Sequence, residues 1–301
     1  MSRRNPYAAH IAFARLAGRK TGLWRIIAVV VGFEFAFSFA PVVLGLAMLD
    51  DWASPAGVGL STPAATILSF AMFAFAGLSL LVMVRLLHDR PPASLIGPLR
   101  EARRDFLVCL SAVMLVLLVQ DVVLLWLWQD DVVRVRPIGP WLLWLVPGLA
   151  ALFIQVGTEE LFFRGYLQQQ IAAVTSRRLL WIGVPSLMFG LGHAANSNLP
   201  ADALIWVAWA TGLGFACADL TARTGTIGAA TGLHLANNIF AVAVVGVEFW
   251  PGSGLALFLY RHPPGLDEIA PTTLSGIAFQ LAIAFAGLLV MWLAARVALR
   301  R

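Results

Sequence analysis

The chain alternates between long apolar runs and short polar connections. Runs long enough to cross a bilayer lie at about 24–49, 64–87 and 106–128. Each is near the roughly 20 residues that a hydrocarbon core about 30 Å thick requires. A fourth starts near 141 and continues to about 174. It is long for one span, and Pro147-Gly148 marks a kink or the point of entry. Further runs at about 179–195, 203–221, 226–247 and 276–296 bring the number to eight. The pattern predicts an all-α polytopic membrane protein of about eight transmembrane helices. No internal repeat or low-complexity linker divides it. Residues 24–301 therefore read as one transmembrane domain, preceded by a basic tail, 1–23, able to form a surface helix.

Composition supports that reading. Hydrophobic residues make up 60% of the 301 and charged ones 12%, against about 25% charged in soluble domains, and the mean hydropathy is +0.83. A net charge of +5 would point to nucleic acid in a soluble protein. Here the basic residues sit at the ends of apolar runs, where they set topology instead, and no nucleic-acid partner is expected. With eight spans, the tail residues Arg3, Arg4, Arg15, Arg19, Lys20 and Arg25 share one side with Arg85, Arg90, Arg100, Arg103, Arg104, Arg177, Arg178, Arg223, Arg296, Arg300 and Arg301. Only Arg134, Arg136 and Arg261 face the other side, and Arg164 is inside. The asymmetry predicts both termini in the cytoplasm, and the expected location is a bacterial inner membrane. Trp24, Trp52, Trp126, Trp128, Trp141 and Trp250 stand near run ends, as in interfacial belts. Cys109 and Cys217 lie within apolar runs and argue for neither a disulfide framework nor a thiolate metal site. No cleavable signal peptide is evident, because the first apolar run is too long for one.

The candidate chemistry starts at Gly157-Thr158-Glu159-Glu160-Leu161-Phe162-Phe163-Arg164-Gly165-Tyr166. It sets two carboxylates and a guanidinium inside an apolar run, at a cost of roughly 2.5–3.5 kcal/mol per charged residue at the bilayer centre. Glu160 and Arg164 are i and i+4 on a helix and can pair. Glu159, about 100° away, has Gln155 one turn before it and Phe162 and Phe163 one turn after. It is expected to lack a local partner, which suits a general base. Two further polar clusters fall inside runs: Phe189-Gly190-Leu191-Gly192-His193, and Gly232-Leu233-His234-Leu235-Ala236-Asn237-Asn238. His234 and Asn238 share a helix face, with Asn237 turned aside. Together the clusters offer a carboxylate, two imidazoles and a carboxamide from three helices. Amide hydrolysis needs such a set: a base for water, and donors for the developing oxyanion. Glu34 and Asp121 read as satisfied or cavity-facing carboxylates, and Asp219 with Arg223 as a pair near a span end.

These residues resemble a known family. Glu159-Glu160-x-x-x-Arg164, followed by Gly165-Tyr166-Leu167, is similar to the first motif of the CPBP family, the CAAX prenyl proteases and bacteriocin-processing enzymes also called the ABI family. Phe189-x-x-x-His193 resembles its second motif and His234-x-x-x-Asn238 its third. The three stand in family order across about 155–240. The resemblance implies an eight-span fold with the site on helices four, five and seven, and an intramembrane glutamic endopeptidase acting on a membrane-associated peptide or protein. It implies that Glu159 with His193 activates water, that His234 and Asn238 form the oxyanion hole, and that Glu160 and Arg164 hold the helix.

A zinc site built from His193, His234 and a Glu is the alternative within this chemistry. No H-E-x-x-H is present, and Asn238, beside His234, is a poor zinc ligand and a good oxyanion donor. The expectation is therefore no metal and no cofactor. Two other classes remain. One is a non-catalytic immunity or scaffolding protein that keeps the polar cluster for packing. The other is a transporter with a midplane site, for which the expected inverted repeats are not seen.

Overall fold

The structure is a computed structural model, and it describes residues 5–47, 61–196, 200–250, 252–262 and 273–300. Arg3, Arg4, Trp52 and Arg301 lie outside these residues, as does the end of the first apolar run. The protein is an all-α polytopic membrane protein. Its elements in order are α1 (Ala8–Phe13), α2 (Leu23–Ala47), α3 (Pro63–Ala71), α4 (Phe73–His88), α5 (Leu99–Leu127), β1 (Val132–Val135) and α6 (Ile138–Glu160). Then come α7 (Gln169–Val174), α8 (Arg178–Gly192), α9 (Pro200–Thr224), α10 (Gly228–Ile239), β2 (Val245–Val247), β3 (Phe258–Tyr260) and α11 (Leu274–Leu299).

Among the described residues six helical stretches are long and apolar enough to cross a membrane: Leu23–Ala40, Pro63–His88, Leu99–Leu127, Ile138–Val174, Ala201–Thr224 and Leu274–Leu299. The other two expected runs are helical but shorter. One is α8, of 15 residues; the other is Gly228–Val244. Every residue of α10 from Gly228 to Ala236 is buried. A helix sheathed by protein need not match the bilayer thickness, so its apolar run is no guide to spanning. Two glycines allow the burial. A Cβ on Gly228 would collide with the Ala102 carbonyl, and one on Gly232 with the Phe106 carbonyl, both on α5. The small-x-x-x-small spacing brings the two backbones together.

The expected helix over 226–247 stops earlier. Residues Val245–Val247 turn into a strand, in a sheet of order β1-β3-β2. There β3 is antiparallel to β1 and parallel to β2. The branched residues of Val-Gly-Val suit an extended strand once the chain leaves the bundle. Arg136 donates to the carbonyls of Ala256 (2.9 Å) and Ser253 (3.3 Å), and the Trp141 indole to that of Leu255 (2.9 Å). These bonds fix the sheet over the end of the bundle where α6 begins.

The long fourth run is one helical stretch through Pro147, but its pitch changes. Leu161–Gln168 is a π-helix between α6 and α7, and Phe240–Val244 is a second π-turn after α10. Each begins just past a polar motif. Single π-turns inside α-helices are frequent at functional sites.

The basic tail is docked. Helix α1 and the 3₁₀ turn Ala14–Arg19 bury His10, Phe13, Ala14 and Ala17. The His10 ring stacks on Trp181 of α8 with centroids 4.5 Å apart, and Tyr7 meets the same indole edge-on at 5.7 Å. The backbone carbonyl of Lys20 accepts from His88 Nδ1 at 2.8 Å. Beneath it Arg90, buried to 1% exposure, donates to Gln169 Oε1 (2.6 Å), Gln170 Oε1 (3.2 Å) and Ser94 Oγ (3.3 Å). Burial pulls the Arg90 pKa down to about 10.

Burial lowers the His10 pKa to about 4, outweighing the nearby Gln168 carbonyl, which raises it. The ring is neutral when docked, and undocking restores the ordinary value near 6.5. The stability it contributes is complete above about pH 6.5 and is lost as pH falls toward 4. Hydrogen exchange of residues 8–19, corrected for intrinsic rate, is expected to rise between pH 6.5 and 4 while α5 and α10 stay protected. In His10→Phe, which keeps the stack on Trp181, that rise should vanish; if it persists, another group releases the tail.

Candidate active site

The polar residues of the fourth run form a buried stripe. Gln155, Thr158, Glu159, Glu160, Arg164, Gln168, Gln169 and Gln170 are all buried, at 8% exposure or less. Such a stripe is sustainable only when its members bond each other or a backbone. Arg164 donates to Glu160 Oε1 at 2.9 Å, the i, i+4 pair that the spacing predicts, and reaches the Gly214 carbonyl of α9 at 3.3 Å. Gln168 donates to the Ala218 carbonyl one turn further along α9, at 3.0 Å. Thr158 donates to the Phe73 carbonyl of α4 at 3.3 Å.

Helix α10 enters this stripe through His234, whose two nitrogens face two carboxylates. Nδ1 is 2.8 Å from Glu160 Oε1, and Nε2 is 3.5 Å from Glu159 Oε2. A carboxylate only accepts, so Nδ1 carries the hydrogen toward Glu160, and Nε2 is the nitrogen presented to Glu159.

Glu159 is not without a partner, contrary to expectation. Gln155, one turn before it, donates Nε2–H to Glu159 Oε2 at 2.6 Å. This orients the amide, because the nitrogen must face the carboxylate and the carbonyl must face away. That carbonyl accepts from Asn238 Nδ2 at 3.2 Å. Asn237, turned aside from the His234 face, donates to Asn238 Oδ1 at 3.0 Å. A directed chain therefore runs Asn237 to Asn238 to Gln155 to Glu159. Its signal in the sequence was the i, i+4 spacing of Gln155 and Glu159; the link to α10 had none.

His193 caps the C-terminus of α8. Its Nδ1 donates to the Phe189 carbonyl at 2.8 Å, which leaves Nε2 with its lone pair. The ring is half-buried, and it makes no hydrogen bond to Glu159 among the described residues. Phe189 joins the three motifs. Its ring lies 4.6 Å from the His193 ring, 5.5 Å and edge-on from the His234 ring, and 4.8 Å under the Arg164 guanidinium. Gly190 lets α8 approach α9, since a Cβ there would strike Thr211 and the Val207 carbonyl. Sequence reasoning gave Phe189 a place in a motif but no task.

The remaining intramembrane carboxylates stand apart from this cluster. Glu34 is exposed on α2. Asp121 is buried, and its Oδ2 has no hydrogen-bond partner among the described residues. Asp219 pairs with Arg223 as expected, at 2.7 Å. Among the described residues no three His, Cys, Asp or Glu side chains are grouped so as to hold a metal ion.

A family model described as "Type II CAAX prenyl endopeptidase Rce1-like" matches residues 140–240, which contain every residue of the cluster. The match covers about a third of this chain, the part that bears the three motifs. Uncharacterized protein YyaK of Bacillus subtilis (strain 168) is 36% identical over 101 residues, 33% of this chain and 33% of that protein. The match thus spans a third of that curated relative. No solved structure matches. The Rce1-like segment takes in α6 to α10, and α5 packs against it through the α10 glycines.

The Glu160–Arg164 pair is buried on both sides. Removing one member strands the other, at about 3–5 kcal/mol. Glu160→Ala and Arg164→Ala are each expected to lower the melting temperature in detergent. Unchanged melting for both would show that water reaches the pair.

Proposed function

We propose that this protein is an intramembrane endopeptidase that hydrolyses a peptide bond with a water activated by Glu159. The observation that carries this reading is the convergence of Glu159, His234 and Asn238 inside the bundle, linked through Gln155. The Rce1-like match supports the reaction class.

The roles follow from which atoms remain available. Glu159 Oε2 is held by Gln155, so Oε1 is the free oxygen to accept a proton from water. His193 Nε2, turned outward by the Nδ1 bond to Phe189, is the second acceptor for that water. As the water oxygen adds to the scissile carbonyl carbon, its proton passes to Glu159 and the carbonyl oxygen becomes an oxyanion. His234 Nε2, when protonated, and the second hydrogen of Asn238 Nδ2 are the donors for it. Collapse of the intermediate breaks the C–N bond, and the proton held by Glu159 leaves on the amine. Glu160 and Arg164 fix His234 and touch no reacting atom. Gln155 positions the base and the amide donor together.

The substrate in this reading is a membrane-associated peptide or protein, and both termini and the Arg-rich loops face the cytoplasm of a bacterial inner membrane. Residues 24–301 act as one protease domain, with the basic tail packed beneath it. No metal or other cofactor is assigned a role.

Glu159→Gln keeps size and hydrogen bonding but removes the base. Membranes carrying Glu159→Gln are expected to accumulate an uncleaved protein that the wild type processes, seen by comparing peptide termini in the two proteomes. Identical termini in both would refute the base assignment. Against that substrate Asn238→Ala should lower turnover by about 10²–10³, the usual penalty for one oxyanion donor, with a smaller change in KM. Gln155→Met should lower kcat at nearly constant melting temperature; wild-type kcat would leave Gln155 as packing alone.

A further inference from the structure

We propose that a cleft between α8, α9 and α11, separate from the polar cluster, binds one anionic phospholipid. The cleft has a volume of roughly 690 Å³. Its three walls are built to one plan. Each helix sets a polar residue at the mouth, Arg178 on α8, Asp219 on α9 and Trp292 on α11. Apolar residues follow deeper in, with Ile182, Phe215 and Phe285 among them. From Trp292 to Phe285 the helix descends by about 10 Å at 1.5 Å per residue. Phe215, Phe285 and Leu289 remain 40–52% exposed, so the cleft opens sideways on α9 and α11, two helices that qualify as membrane spans. A polar mouth over an apolar, laterally open wall fits a molecule with one head and a tail.

Charge selects the head. The Asp219 carboxylate is already satisfied: it accepts from Tyr7 Oη (2.7 Å), Arg223 Nε (2.7 Å) and Trp292 Nε1 (3.0 Å). Arg178 is not neutralised. It donates to the uncharged Asn5 Oδ1 at 3.3 Å and lies 5.2 Å over the Tyr7 ring, and among the described residues no carboxylate pairs with it. Arg177 stands next to it, exposed. With Arg223 balancing Asp219, the mouth is left with the uncompensated Arg178 guanidinium, and Arg177 adds a second positive charge next to it in the chain. A guanidinium takes phosphate oxygens in a bidentate fork, and juxtamembrane arginines are attracted to anionic lipid. The phosphate sits on Arg178, and one acyl chain runs down between Phe215 and Leu289.

The test needs no substrate. Full-length protein in detergent is melted with added phosphatidylglycerol or with phosphatidylcholine of the same chains. Phosphatidylglycerol at saturation is expected to raise the melting temperature by about 5 °C, and phosphatidylcholine clearly less. Arg178→Gln should remove the difference between the two lipids. Leu289→Trp, on the exposed wall, should fill the tail path and remove it too, while melting normally without lipid. Equal responses to both lipids in the wild type would overturn the proposal. So would a phosphatidylglycerol preference intact in both variants, or inorganic phosphate alone giving the full shift.

Discussion

The site depends on one oxygen. Glu160 Oε1 accepts from Arg164 at 2.9 Å and faces His234 Nδ1 at 2.8 Å, so a single buried carboxylate fastens the π-turn after α6 to the middle of α10. Arg164 then extends the tie to the α9 backbone. A lone charge at this depth would cost several kcal/mol. Here each charge is held by its opposite, by backbone and by the Phe189 ring, and the three helices carrying the motifs cannot separate without exposing one of them. With Nδ1 committed to Glu160, His234 has only Nε2 to turn toward Glu159.

The short helices belong to the same constraint. A polar cluster inside a bilayer needs protein on all sides, and α10 supplies it by lying buried from Gly228 to Ala236. Its glycines set the depth of its contact with α5, and Gly190 sets that of α8 with α9. Helix α10 thus acts as an insert among longer helices, whereas α8 buries the face that carries Ser186, Phe189 and Gly190 and leaves Leu179, Leu187 and Leu191 exposed.

Much of this was legible in the sequence, and the division has a physical basis. Contacts within one helix follow from spacing alone: Glu160 with Arg164, Asp219 with Arg223, and the shared face of His234 and Asn238. Apolar runs located the helices for the same reason. Contacts between helices depend on which faces meet, and one chain's spacing does not reveal that. Thus Glu159 was expected to stand alone, although Gln155 already lay at i−4, and the bond from Gln155 to Asn238 was not foreseen. The π-turns leave no mark on hydropathy. The strand over 245–247 is indistinguishable from helix in the sequence, because a run of three residues is too short to show either period. The tail's docking rests on His10, Phe13 and Ala17, too few to stand out beside five basic residues.

In the proposed mechanism carboxylate and imidazole chemistry suffices for hydrolysis, and elemental analysis of the purified protein tests that most directly. The protein is purified, its bound metals are quantified, and turnover is measured before and after treatment with a strong chelator. The account predicts far less than one transition metal per chain and the same turnover after chelation. One zinc per chain, lost together with activity on chelation and restored together on adding zinc back, would contradict it and make His193 and His234 ligands.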